Sequence, residues 1–134
     1  MANEINVPGK HVYGSARVCG SAMVYGSAMV CGSARVCLAA RITNSRDYIA
    51  IGPIGSRESS TLTAWRDVAG IGINTGCFSG TIAEFEKKLR STHEKGSVHR
   101  HEYEAALALV RLRAKEWKPI TKAEKSDSEQ RSGT

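Results

Sequence analysis

The chain has 134 residues, a net charge of +6, 13 glycines, 3 prolines and only 6% aromatic side chains. That length holds one ordinary domain, which excludes a multi-domain enzyme. The residue mix describes small side chains packed close to backbone, not an aromatic-rich core. The basic balance favours acidic partners such as phosphates or nucleotides without choosing among them.

Residues 1–11 form a polar lead-in with no apolar signal core, and no run approaches the ~18 apolar residues that suggest a membrane span. The expectation is a soluble, cytoplasmic protein whose 4 cysteines stay reduced. From Val12 the sequence repeats every six residues as VYGSAR, VCGSAM, VYGSAM, VCGSAR and VCLAAR, ending at Arg41. Valine occupies positions 12, 18, 24, 30 and 36, with Ile42 continuing the row, and alanine occupies 16, 22, 28, 34 and 40. This period fits neither an amphipathic helix nor a long alternating strand. It fits short strands joined by tight Gly-Ser corners, one aliphatic and one small residue per repeat pointing inward.

The pattern over residues 12–42 resembles the hexapeptide-repeat proteins, whose left-handed parallel β-helix uses an aliphatic residue followed four positions later by a small one. The resemblance implies a short parallel β-helix over residues 12–46, with three hexapeptides per coil and residues 18 apart stacked on neighbouring coils. It also implies a homo-oligomer, a trimer or a multiple of it, because fewer than two coils bury their ends poorly. Stacking would place Cys19 beside Cys37, Tyr13 beside Cys31 and Arg17 beside Arg35. The arginine pair suggests either an anionic partner or two guanidinium groups splayed into solvent. The cysteine pair would permit disulfide or metal chemistry, but reduced thiols acting as small apolar residues are the expectation.

Residues 47–80 read as an antiparallel meander of three strands, over 48–51, 61–66 and 70–74, where Ile49 and Ile51, Leu62 and Ala64, and Ile71 and Ile73 alternate. Two glycine-bearing loops stand out: Gly52 to Arg57, and Gly76 to Thr81 at the start of a helix. A helix N-terminus attracts anions, yet Thr81 with Glu84 three residues on is also a plain capping box. Neither loop carries a Walker or dinucleotide-binding fingerprint, so any phosphate site would be improvised.

Residues 81–118 read as a helical hairpin, with Ile82, Phe85 and Leu89 on one stripe and Tyr103, Leu107, Val110, Ala114 and Trp117 on the other. Residues 119–134 are expected to be a disordered tail; from Thr121 onward no large apolar residue occurs. His93, His99 and His101 lack metal-ligand spacing, so no metal site is expected. The fold class is therefore β-rich α+β: a short β-helix, a small meander and a C-terminal helical hairpin.

The segments IAIGPIGSR, LTAWRD and GCFSGTIAEFE resemble the module that follows hexapeptide repeats in uncharacterised bacteriophage and prophage proteins. That resemblance implies a phage-type protein of the host cytoplasm, acting against host defence. The functional expectation is a non-enzymatic binder that sequesters an anionic, nucleotide-derived molecule at clefts between subunits, using no cofactor, metal or catalytic residue. Arg46, Arg57 and Arg66 would contact phosphate. Gly55, Ser56, Thr61, Ser79, Gly80 and Thr81 would add hydrogen bonds, and Tyr48 or Trp65 a stacking face. The first alternative is an inhibitor directed at a host defence protein. The second is a hexapeptide-class acyltransferase with His11 or His93 as base. Nucleic acid and membrane partners are not expected.

Overall fold

The computed structural model describes residues 14, 16–25, 28–32, 34–54, 61–75, 78–92 and 97–125. In the repeat, β1 (Arg17–Val18) pairs in parallel with β3 (Arg35–Val36), and β2 (Met23–Val24) with β4 (Arg41–Ile42). The 18-residue register is present: Arg17 lies beside Arg35 and Val24 beside Ile42. Each strand is only two residues long, since a hexapeptide leaves a dipeptide between its corners. The inward row is Ala22, Val24, Ala28, Val30, Ala34, Val36, Ala40 and Ile42, all at most 2% exposed.

The expected left-handed parallel β-helix is nevertheless not what the described residues form. They make two separate two-stranded parallel sheets. Five repeats at an 18-residue offset supply two layers at most, so each described strand has a single neighbour and no continuous solenoid sheet develops. A second correction concerns the thiols. Cys19 and Cys37 form a disulfide, their Cα atoms 4.7 Å apart across the paired strands, and Cys31 is an exposed free cysteine. Tyr13 lies outside the described residues.

At the Gly20 corner φ is +62°, and an added Cβ would stand 3.1 Å from the Leu38 amide nitrogen on the neighbouring layer. Gly20→Ala is therefore expected to destabilise the protein by about 1–2 kcal/mol, measured by urea denaturation, because an L side chain is strained in the left-handed region. The reverse substitution at an exposed helix position, Ala108→Gly, should cost no more than about 1 kcal/mol.

The meander has four strands, not three, in the antiparallel order β5 (Tyr48–Ile51), β6 (Leu62–Asp67), β7 (Gly70–Thr75) and β8 (Phe78–Thr81). The fourth strand, expected as a loop, has poor strand propensity at Ser79 and Gly80. It forms because β7 pairs it along Gly72 to Thr75, and the Asn74 side-chain amide donates to Ser79 Oγ at 2.8 Å. Every residue of β6 is buried, since the strand is covered on both faces. Trp65 joins the core of the repeat. Leu62 and Ala64 join a second core made with the helices.

Helix α1 (Ile82–Thr92) begins at a reciprocal cap, in which Thr81 N donates to Glu84 Oε1 at 2.8 Å and Glu84 N donates to Thr81 Oγ1 at 3.2 Å. Helix α2 (Val98–Ala114) is capped by Ser97, whose hydroxyl accepts from Arg100 N at 3.2 Å. Phe85 and Leu89 of α1 pack with Ala106, Leu107 and Val110 of α2 on the Leu62, Ala64 and Ile73 face of the sheet. Phe85 meets Tyr103 edge-on at 5.5 Å between centroids, and Arg111 reaches Glu86 at 2.9 Å. No helix among the described residues is long and apolar enough to cross a membrane.

The tail also departs from expectation. Residues 119–125 are not free: they return to the end of the sheet and bury Glu124 to 8% exposure. Composition alone read this stretch as disordered because its anchor is polar, one carboxylate in place of an apolar side chain.

Candidate functional site

Among the described residues, those expected to hold an anion do not converge within one chain. Gly55, Ser56 and Arg57 lie outside the described residues, as do the alternative bases His11 and His93. Ser79 and Thr81 are committed to the Asn74 contact and to the helix cap. Gly80 is buried, and a Cβ there would stand 2.7 Å from Glu84 Oε1, so its small size serves packing. Thr61 is half-buried just before β6.

The aromatic pair is equally committed. Trp65 is fully buried, opposite Gly72, and donates its indole N–H to Asp67 Oδ2 at 2.8 Å. It cannot offer a stacking face. Tyr48 is buried beside it in register, and its hydroxyl accepts from Cys31 N at 3.1 Å. Burial raises the Tyr48 hydroxyl above its ordinary pKa, which keeps it neutral in that role.

Of the arginines, Arg46 is exposed and grips Glu116 through two 2.7 Å hydrogen bonds, while its carbonyl accepts from the Trp117 indole N–H at 2.7 Å. This pair holds the segment after α2 against the turn before β5. Its hydrogen bonds raise the Arg46 guanidinium and lower the Glu116 carboxyl from their ordinary values. An exposed pair of this kind adds little stability.

Arg66 is 5% exposed, and all of its donors are used. Its guanidinium donates to Glu124 Oε2 at 2.6 Å and Oε1 at 2.8 Å, to the Lys118 and Pro119 carbonyls at 2.8 and 2.9 Å, and to the Arg41 carbonyl at 3.1 Å. Arg41 is fully buried beside it; Nε donates to the Glu124 carbonyl at 3.0 Å and NH1 to Ser21 O at 2.8 Å. Thr121 and Glu124 cap each other, with Thr121 N donating to Glu124 Oε1 at 2.9 Å. The hydrogen bonds to Glu124 raise the Arg66 guanidinium further above its ordinary value. Burial alone would raise the Glu124 carboxyl, but the Arg66 and Thr121 donors outweigh it and hold the pKa low. A cavity of about 390 Å³ lies alongside, lined by Tyr25, Thr43, Arg66, Lys118, Thr121 and Glu124 among others.

A second cationic feature is open to solvent. Arg17 and Arg35 are register partners on β1 and β3, both exposed, and neither has an acidic partner among the described residues. Strand neighbours stand about 4.8 Å apart, so two like charges are held side by side. The Cys19–Cys37 disulfide, two residues further along both strands, clamps that register. Among the described residues no cluster of three or more His, Cys, Asp or Glu side chains fits a metal ion.

The 18-residue stacking that the hexapeptide-repeat resemblance implies pairs Arg17 with Arg35, as the structure does, whereas the partnership of Arg66 with Glu124 goes unread. The only local trace of the latter was Thr121 followed by Glu124, a capping-box spacing inside the polar tail. No protein family, no curated protein and no solved structure matches this chain at significant similarity.

Proposed function

We propose that the protein is a non-enzymatic binder that sequesters an anionic small molecule, a nucleotide-derived ligand, at clefts between subunits of a homo-oligomer. The observation that carries this reading is the Arg17 and Arg35 pair. A fold that clamps two like charges together in the open gains from a bound anion that neutralises both, and guanidinium forks match phosphate oxygens. The net charge of +6 supports the same class of partner. The resemblance of the sequence to phage proteins makes a defence-signalling nucleotide the ligand to try first.

The test is the melting temperature of the purified protein with cyclic dinucleotides and ADP-ribose derivatives, since a ligand that binds only the folded state raises it. Arg17→Ala/Arg35→Ala should lose the ligand-induced rise while its ligand-free stability stays equal or increases slightly, because the substitution relieves repulsion. Absence of a shift with every nucleotide removes the reading. A protein-directed inhibitor is the second reading, favoured by Val98, Leu109 and Leu112, which α2 leaves 76%, 44% and 61% exposed. Retention of a protein partner by the double-arginine variant, with no nucleotide shift in either protein, would select it.

A further inference from the structure

We infer that Arg66, steadied by Arg41, forms an anion-binding site that the chain's own Glu124 occupies, and that a phosphate-bearing ligand competes with this carboxylate for it. The inference rests on the proposal that the protein binds anions, and it adds a specific site and a device that controls access to it.

The donors of Arg66 carry the argument. Four of its five hydrogen bonds go to residues 118–124, namely to the Lys118 and Pro119 carbonyls and to both Glu124 carboxylate oxygens. Only the bond to the Arg41 carbonyl comes from the rest of the fold. Lifting the segment away would open the adjoining 390 Å³ cavity, where Tyr25 and Thr43 stay beside Arg66, and would leave a planar guanidinium with four empty donors. That is the bidentate geometry that phosphate and carboxylate share. The cavity is large enough for a small ligand, and the half-buried Tyr25 adds an aromatic wall that suits a nucleobase.

The segment is built to leave. Lys118, Pro119, Thr121, Lys122, Ala123 and Lys125 are exposed, and Glu124 is the one buried residue among residues 118–125. Ile120 is half-buried, and little other apolar area holds the segment down. Its grip is the carboxylate, the backbone contacts to Arg66, and the Arg41 bond to the Glu124 carbonyl. A ligand phosphate presents more charge to Arg66 than one carboxylate does, and it needs no chain to be ordered around it.

The experiment compares wild type, Glu124→Ala, Glu124→Gln and Glu124→Ala/Arg66→Met, each as the full chain, by melting temperature with added inorganic phosphate and with ADP. Glu124→Ala opens the site, so phosphate should raise its melting temperature several degrees more than that of wild type, with apparent affinity at least tenfold tighter. Glu124→Gln, which keeps the side-chain shape and loses the charge, should respond in the same direction and serves if the alanine variant does not fold. Adding Arg66→Met should abolish the response. In wild type, saturating ADP should speed tryptic cleavage after Lys122 by displacing the segment. An equal phosphate response in wild type and both Glu124 variants, or none in any, overturns the inference. A nucleotide response that depends on Arg17 and Arg35 but not on Glu124 keeps the broader proposal and discards this site.

Discussion

Arg66→Met is expected to lower the unfolding free energy by about 3–5 kcal/mol, since it strands the buried Glu124 carboxylate without its counter-charge. The double variant Arg66→Met/Glu124→Leu should recover much of that loss, because removing both charges eliminates the stranded group. Urea denaturation of the two variants checks both values; equal destabilisation would mean that the backbone bonds of Arg66 to Lys118 and Pro119, not the ion pair, hold the segment. The pair also sets an acid limit. The Glu124 carboxyl is held below its ordinary value in the folded protein. Its contribution is therefore complete above the unfolded-state value of about 4.3 and is lost as pH falls through the lower folded value. Cleavage after Lys122 by an acid-tolerant protease should accelerate only below the ordinary glutamate range in wild type, and be insensitive to pH there in Glu124→Gln.

Trp65→Ala is the second large effect, expected at about 3–5 kcal/mol. The indole is fully buried, shares the core of the repeat with Tyr48, and fills the space that Gly72 leaves open across the strand pair. A Cβ on Gly72 would overlap the indole ring, so the two residues fit only as a pair. Trp65→Phe separates packing from hydrogen bonding. It retains most of the ring contact but removes the donor to Asp67, which still accepts from Ala39 N at 3.1 Å and Ala69 N at 2.9 Å. The phenylalanine variant should lose about 1–3 kcal/mol, and guanidinium midpoints with unchanged slope would show that the native state is intact. Nearly equal losses in Trp65→Phe and Trp65→Ala would place the weight on the indole hydrogen bond.

These two residues mark where reading the sequence fails. Both read as open ligand contacts, on the grounds that arginine, glycine and aromatic side chains crowd one short segment; in the folded chain Trp65 is core and Arg66 is occupied by Glu124. The crowding is real, but its cause is structural. β6 is the central buried strand, with the repeat packed on one face and the helices on the other, so even its polar residues are enclosed and must be paired internally. Alternation within a hexapeptide or strand cannot report what lies on the second face.

Local order was legible. The valine and alanine rows of the repeat, the cores of β5 to β7, the two amphipathic helices and the Thr81 and Glu84 cap follow from spacings of a few residues, the 18-residue offset follows from the hexapeptide-repeat resemblance, and they are where the structure has them. Such features depend on side-chain periodicity and capping chemistry, which a sequence carries in full. Tertiary structure decided the rest: that the repeat stops at two-stranded sheets, that Cys19 and Cys37 join, that Ser79 and Gly80 become a strand, and that Arg66 closes on Glu124 58 residues away. Each of these depends on which surfaces meet. A carboxylate in a polar tail looks the same whether water or a buried guanidinium solvates it, and only the packed sheet provides the guanidinium.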